Sequence, residues 1–324
     1  MNKRVVILSR NPALHSTARL EQAARERDLV VRVIDYTRCV LTVSELGPMV
    51  YYQGEPVRAD VIIPRIGASH TVNGTAVVRH FELCGVENPN PAAGITASRD
   101  KITAMQTLIG AGLPVPRTAA GGTPRENGAL IASVGGAPVV VKLIEGTHGA
   151  GVVLAESDAS ADAVVSAMRA AGGQVLVQQF VRDADGSDIR AFIVGGRVVG
   201  AMKRQAPPGE FRANLHLGGT ARRIRLSDTE RDLALRAAAA FGLNIAGVDL
   251  LRTANGPVVL EINSSPGLEG IEEATGINIA DRIMEFIQFG TLDRYSASHD
   301  DSESAPEPAI GSADEDGAER VAAP

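Results

Sequence analysis

Residues 246–267, AGVDLLRTANGPVVLEINSSPG, restrict the fold more than any other stretch of the chain. Two apolar runs flank an Asn-Gly pair, which reads as a β-hairpin. Within them stand Asp249, Glu261 and Asn263, side chains that a half-buried strand would not select for packing. Side chains alternate across a strand, so Glu261 and Asn263 share one face. Asp249 joins that face only if it pairs with Glu261 or Asn263, which fixes the parity of the register. A two-residue loop of Asn255 and Gly256 gives the wrong parity. The sequence therefore predicts a three-residue loop, Ala254-Asn255-Gly256, with Gly256 left-handed. Two carboxylates and an amide oxygen on one face suit a hard cation. Magnesium takes one or two carboxylates and completes its shell with water and phosphate oxygens. The set points to a magnesium–nucleotide site, and a solvent-facing polar stripe is the plainer alternative. Pro266 and Gly267 then end the strand and open a loop beside it.

The length of 324 residues fits about two domains. The start, MNKRVVILSR, reads as a first strand rather than a signal peptide. No apolar run approaches the ~18 residues that span a membrane. With only Cys39 and Cys84, neither a disulfide framework nor a Cys-rich zinc site is expected, which fits a reducing cytoplasm. Tryptophan is absent and aromatic residues make up 3%, so recognition by stacking is not favoured. The net charge of −6 is unevenly spread: residues 296–324 hold eight acids against Arg320 and carry −7, leaving +1 for the body. A near-neutral body gives no electrostatic case for nucleic acid. In that tail Ile310 and Val321 are the only large aliphatics, too few to offset the cost of ordering, so a disordered acidic extension is expected.

Taken in order, residues 4–9 and 29–34 read as strands around a helix at 14–27 that turns Leu20, Ala23 and Ala24 inward. A third strand follows at 60–63 and a helix at about 73–84. Alternating strands and helices predict a parallel α/β domain to about residue 93. Its first turn, SRNP, lacks G-x-G-x-x-G, so no dinucleotide site is expected there. NPNP at 88–91 marks a boundary. Ser98 is expected to cap a helix running from Arg99 to about Ala111, with Lys101 in its first turn. A cation there opposes the helix dipole, which makes sense beside a bound anion, although a surface lysine that tolerates the cost fits equally.

Val139 to Leu143 is a buried-looking strand interrupted by Lys142, and it feeds EGTHGAG with glycines at 146, 149 and 151. Such a loop turns backbone N–H groups toward phosphate oxygens, or is simply a hairpin loop. The Walker pattern is absent. A helix is expected at 158–171 and a strand at 175–181. A hairpin over 188–204 turns at Gly195-Gly196, and a polar glycine-rich loop spans 211–219. A helix capped by SDTE runs from Ser227 to Phe241, and a last helix spans 279–289. No internal repeat is evident.

With Lys101, Lys142, the 146–151 loop, DIR, FRAN and D…E-x-N in this order, the chain resembles the ATP-grasp superfamily. SRNP, PRIG (64–67), VVKLIEGT (140–147), GEFRANLH (209–216), AGVDLLR (246–252) and EINSSPGLEGIE (261–272) resemble the RimK family more closely. The resemblance covers residues 1 to about 290. It implies an α/β ATP-grasp fold: a pre-ATP-grasp domain over 1–93, two α+β subdomains over 94–181 and 182–290 that sandwich ATP, and a tail over 291–324.

The resemblance further implies a carboxylate–amine ligase that uses ATP and two magnesium ions, with manganese able to substitute. It adds L-glutamate to the C-terminus of a small-subunit ribosomal protein, or builds poly-α-glutamate. Lys101 and Lys142 match phosphate-contacting lysines, and Gly146, Thr147, Gly149 and Gly151 the phosphate loop. Gln179, Phe180 and Val181 match the adenine hinge, with Asp188 ending the segment after it. Arg212, Ala213 and Asn214 match a nucleotide-contacting loop. Asp249, Glu261 and Asn263 match metal ligands, Glu261 bridging two ions. Arg190 and Arg212, with Lys203 or Arg204, are candidates to hold the γ-phosphate or an acyl phosphate. His15, His70 and His148 are expected to be local polar residues. A homo-oligomer, a tetramer by resemblance, is expected, with no membrane partner.

Three positions depart from the family pattern. Gln179 stands where the hinge usually has glutamate, Leu217 where arginine usually follows NLH, and His148 where glutamine is frequent. Leu217 keeps open a related ligase with another acceptor. An ATP-binding regulatory protein without catalysis is the remaining alternative, and the intact D…E-x-N set and both lysines argue against it.

Overall fold

The computed structural model describes residues 3–45, 47–144 and 151–290. Gly146, Thr147, His148, Gly149 and the acidic tail lie outside the described residues.

Strands β1 (Arg4–Leu8) and β2 (Val30–Ile34) flank α1 (His15–Glu26). The chain then forms β3 (Cys39–Ser44), β4 (Gly47–Tyr52), β5 (Glu55–Pro56) and β6 (Val61–Pro64). The first sheet is parallel in the order β2-β1-β6. Val5, Ile7, Val61 and Ile63 pack on the side of α1, and Val6, Leu8 and Ile62 on the other. Burial on both faces explains the unbroken apolar runs of these strands. The antiparallel β3-β4-β5 sheet was not expected from the sequence. Burial along β3 does not alternate: Val40, Val43 and Ser44 stand exposed, the two valines at 60% and 82%, while Cys39, Leu41 and Thr42 are half-covered.

Helix α2 (Thr71–Leu83) leads to α3 (Ala92–Arg99) and α4 (Lys101–Gly110). Two helices replace the single one expected from Ser98. Ser98 lies inside α3 and its hydroxyl donates to the Ile95 carbonyl at 2.9 Å. Asp100 is the cap instead, its Oδ1 accepting from the backbone N–H groups of Ile102 and Thr103, each at 2.9 Å. Either a hydroxyl or a carboxylate oxygen can accept from the free N–H groups, but the carboxylate's charge also complements the helix dipole.

A second sheet runs β7-β10-β8-β9, made of β7 (Thr118–Ala120), β8 (Val139–Leu143), β9 (Val152–Ala155) and β10 (Val175–Gln179). Helices α5 (Asn127–Ser133) and α6 (Asp158–Ala170) cover one face. The third sheet runs β13-β12-β11-β14-β15. Its strands are β11 (Ser187–Val194), β12 (Arg197–Gln205), β13 (Thr220–Arg223), β14 (Ile245–Leu251) and β15 (Val258–Asn263). The β11–β12 hairpin turns at Gly195-Gly196, both at positive φ, as a two-residue turn of this kind requires. Helix α7 (Asp228–Ala240) opens with the expected capping box of Ser227 and Glu230. It packs with α3 and α4 on the apolar face, and α8 (Glu269–Thr275) and α9 (Ile279–Phe289) complete the chain's described part. Among the described residues no helix is long and apolar enough to cross a membrane.

The β14–β15 hairpin reaches the expected register by another route. Thr253 and Gly256 exchange hydrogen bonds, so the loop is the two residues Ala254 and Asn255, and this corrects the three-residue expectation. Near the turn Leu250 pairs with Val259, the parity that would send Asp249 to the wrong face. A bulge then shifts the register, leaving Leu260 as the extra residue, and Asp249 pairs with Glu261. The bulge does what the longer loop was expected to do. Gly256 does take positive φ, at +105°.

Candidate active site

One face of the third sheet gathers most of the charged residues that the sequence singled out. Cross-strand pairing sets Arg204 opposite Asp188, Arg190 opposite Asp249 and Asp249 opposite Glu261. Arg204 Nε donates to Asp188 Oδ1 at 2.6 Å and its Nη2 to Asp188 Oδ2 at 2.7 Å. The same Nη2 donates to Asp249 Oδ2 at 2.9 Å. Arg190 holds Asp249 from the next strand through Nε and Nη2, at 2.7 and 2.6 Å. Burial alone would raise the Asp249 carboxyl, but the guanidiniums of Arg190 and Arg204 outweigh it and hold Asp249 below its usual range. Asp188, equally buried and repelled by Asp249, is raised despite Arg204. One shared cation thus pushes two carboxyls apart.

Beyond Asp249 the face opens. Glu261 is exposed, and Asn263 beside it is half-buried. With its amide turned to satisfy both neighbours, Asn263 donates to Glu261 Oε1 at 3.1 Å and accepts from Arg190 Nη2 at 3.2 Å. Asp249 already accepts three hydrogen bonds from the two arginines, and a carboxylate has about four acceptor sites. One lone pair on Asp249, the Glu261 carboxylate and the Asn263 carbonyl are what this face offers a cation. That donor set fits magnesium, which needs few protein oxygens, and among the described residues no three acidic, histidine or cysteine side chains cluster to offer more.

Two lysines approach from the other elements. Lys101, first residue of α4, donates from Nζ to the Ile144 carbonyl at 2.9 Å, at the mouth of the glycine loop. Lys142 on β8 donates to Gln178 Oε1 at 2.6 Å, and Gln178 Nε2 donates on to Thr118 Oγ1 at 2.8 Å. Burial pushes Lys142 down to about 8; the Glu261 carboxylate opposes the drop, and the Lys101 charge adds to it. Lys101 is lowered too, first by burial, with Glu261 and Asp100 opposing. Gln178 as the partner of Lys142 escaped the sequence reading. The signal was its place in β10 two residues along the strand from Leu176, the direct partner of Lys142.

The hinge residues are joined locally. Gln179 Oε1 accepts from Arg117 Nε at 3.2 Å, and Phe180 meets Phe211 edge-on at 6.3 Å. A cleft of about 290 Å³ lined by Pro138, Leu154, Glu156, Phe180 and Arg182 lies beside them. Val181 follows the hinge strand, half-buried. Gly151, at φ +73°, closes the glycine loop against Leu143, whose backbone N–H donates to the Gly151 carbonyl at 2.9 Å. Arg212 does not join the Asp249 cluster: it pairs with Glu210 through Nε and Nη2, at 3.0 and 2.6 Å. Ala213 beside it is buried and Asn214 starts the short turn Leu215–Leu217, which leaves Leu217 exposed. Lys203 points to neither carboxylate of the cluster in any described pair, which leaves Arg204 as the member of that alternative held there.

Solved structures of the same shape define the class. The ATP-grasp ligase PsnB complexed with its minimal precursor superposes with a TM-score of 0.70 at 23% identity, covering 90% of this chain and 99% of that one. A RimK domain ATP-grasp protein from Sphaerobacter thermophilus superposes at 0.66 with 24% identity, covering 88% and 99%. The fold is ATP-grasp. Residues 3–95 match the RimK PreATP-grasp domain and residues 98–287 the RimK-like ATP-grasp domain. The chain is 52% identical over 286 residues to a probable alpha-L-glutamate ligase 1 of Pseudoalteromonas atlantica, covering 88% of this chain and 95% of that protein. It is 51% identical over 286 residues to a probable alpha-L-glutamate ligase of Nitrosococcus oceani, with the same coverage. The chain belongs to the RimK family of ATP-grasp ligases.

Proposed function

We propose that the protein uses ATP and magnesium to join L-glutamate, through its amine, to the C-terminal carboxylate of a small-subunit ribosomal protein or of a growing poly-α-glutamate. The observation that carries this reading is the approach of Lys101 and Lys142 to a face bearing Asp249, Glu261 and Asn263, in a family whose relatives are named for glutamate ligation. Residues 1–93 then serve as the pre-ATP-grasp domain, and 94–181 and 182–290 as the two halves around the nucleotide.

A carboxylate is a poor electrophile. Its oxygen attacks the γ-phosphorus of ATP, ADP leaves, and the resulting acyl phosphate is opened by the glutamate amine with loss of phosphate. Phosphoryl transfer rewards positioning and charge neutralisation more than covalent chemistry. Lys101 and Lys142 hold phosphate oxygens, with Lys142 aimed by Gln178. Gly146, Thr147, Gly149 and Gly151 supply backbone N–H groups, Gln179 to Val181 read adenine, and the loop at Arg212, Ala213 and Asn214 covers the nucleotide. Arg190 and Arg204 fix Asp249 and lend positive charge to the transferring group. Magnesium, held by Asp249, Glu261 and Asn263, neutralises the phosphate oxygens when bound.

The test is to mix the protein with ATP, magnesium, glutamate and the host's sixth small-subunit ribosomal protein and record the acceptor's intact mass. A ladder of glutamyl additions establishes the reaction. An unchanged acceptor with free poly-glutamate moves the protein to peptide synthesis, and ATP binding without either product refutes the reading. The exposed Leu217, where the family pattern has arginine, favours a second reading in which the acceptor alone differs.

A further inference from the structure

Two guanidinium groups stand outside every ion pair described above. Arg65 follows β6, and its backbone N–H donates to the Leu8 carbonyl at 2.9 Å. Among the described residues its side chain has no hydrogen-bond or ion-pair partner. Arg99 ends α3; its Nη2 donates to the Ile66 carbonyl at 2.8 Å, while its Nε is buried with no partner at all. Both side chains are largely covered but not sealed. Burial pulls Arg65 down to about 10, with the Arg99 charge adding to the effect. Arg99 is lowered by burial as well, against the opposing influence of Glu261 and Tyr36. Two like charges, desolvated and without carboxylate partners, cost stability in the ligand-free protein. The bond from Arg99 to the Ile66 carbonyl is the one described contact that uses either guanidinium.

Their place in the fold is informative. Arg65 stands at the carboxyl end of β6, in the parallel β2-β1-β6 sheet. Ligands of open α/β sheets bind in the crevice outside those strand ends. The loop that leaves the metal-binding face reaches the same spot: Ser265 Oγ donates to the Pro64 carbonyl at 3.4 Å. In that loop the Ser264 hydroxyl is also buried and unpartnered. The end of β6 and Arg99 therefore lie near Glu261, whose charge acts on Arg99 and where the reacting groups meet under the reading above.

We propose that Arg65 and Arg99 form the seat for a carboxylate of the acidic amino-acid or peptide substrate, between the end of β6, the end of α3 and the loop after Asn263. This rests on the ligase reading. The planar fork of a guanidinium matches a carboxylate in a bidentate way that a lysine does not, whereas the phosphates already have two lysines and the metal face. The carboxylate belongs either to the incoming glutamate or to the acceptor's acidic end, and the experiment separates them.

L-glutamate and the dipeptide L-Glu-L-Glu are titrated calorimetrically into full-length wild type, Arg65→Met, Arg65→Lys and Arg99→Met, each saturated with a non-hydrolysable ATP analogue and magnesium. Both methionine variants are expected to weaken one of the two probes at least ten-fold, with Arg65→Lys between them and wild type. Weakening of glutamate alone assigns the seat to the amine donor, and of the dipeptide alone to the acceptor. Affinity for the analogue by itself stays within two-fold, and ligand-free Arg65→Met melts no lower than wild type. Unchanged affinity for both probes, or binding of neither by wild type, overturns the seat. Loss of analogue affinity instead reassigns the arginines to the γ-phosphate and overturns it too. Failure of wild type to form any glutamyl product, while binding that depends on Arg65 persists, refutes the ligase reading and leaves the seat standing.

Discussion

Arg190 grips Asp249 across the β11–β14 pair with two parallel hydrogen bonds, Nε to Oδ1 at 2.7 Å and Nη2 to Oδ2 at 2.6 Å. The aspartate proposed as a metal ligand is thus fixed in orientation before any ligand arrives, and its remaining acceptor capacity is small. Such pre-organisation has a cost, because it buries charge. Asp249 and Asp188 are 3% and 7% exposed, and Arg204 between them 6%.

The shared arginine should dominate the stability of this face. Arg204→Met leaves Asp188 without its partner and Asp249 with only one. Removing one member of a buried pair costs ~3–5 kcal/mol. Arg190 is less buried, and its loss leaves Asp249 still bonded to Arg204, so Arg190→Met should cost about half as much. Urea unfolding midpoints would check the order. A larger loss for Arg190→Met would mean that Asp188 finds solvent once Arg204 is gone.

Glu261 gives the opposite pattern. It is exposed, so water screens its attraction for Lys101, Lys142 and Arg99, and Glu261→Gln should cost no more than ~1 kcal/mol. If it bridges metal ions, the same change should abolish ADP release with glutamate and acceptor present. Near-normal ADP production by the variant would remove Glu261 from the metal site.

Much of this face was legible in the sequence, and the reasons show where legibility ends. Parity of strand positions placed Asp249 with Glu261, because alternation is a rigid property of β-structure. It could not say which residue carried the shift, since a bulge at Leu260 and a longer loop give the same parity. The final helix was readable to its ends because Ile279, Ile283 and Ile287 keep helical spacing. Asp100 was missed as a cap because Ser98, two residues earlier, satisfies the same rule. Arg65 stood in PRIG, a motif that carried the family resemblance, but neither it nor Arg99 showed in the sequence that it would be buried without a carboxylate partner. Burial of an unpaired charge is a tertiary fact, and in one dimension PRIG is a strand end with an ordinary arginine.

Every described element ends by Phe289 and the family match by residue 287. Deleting residues 296–324 should therefore leave the rate of ADP-coupled ligation within two-fold of the full chain. The deletion also removes −7 of charge, so any loss should be in solubility at low salt rather than in turnover. A ten-fold fall in kcat on deletion would give the acidic tail a place in the reaction.

The pH dependence of nucleotide binding should report on Lys142. Its ammonium titrates at about 8 instead of the ordinary 10.5, because burial disfavours the charge. Between those two values the unfolded chain holds the proton and the folded protein has lost it. Stability of the ligand-free protein gains a positive slope with pH in that window. Phosphate oxygens want the protonated lysine, so the affinity for a non-hydrolysable ATP analogue should move the other way. It should weaken by roughly five-fold between pH 8 and 9, and level off once the raised pKa of the bound state is passed. Lys142→Met separates this group from the other titrating lysines: both slopes should be missing from the variant and present in the difference from wild type. Because Gln178 accepts from Lys142 at 2.6 Å, Gln178→Leu should lower the titration midpoint further by withdrawing a bond to the charged form. An affinity that stays flat from pH 7 to 9 in wild type would take Lys142 off the phosphates.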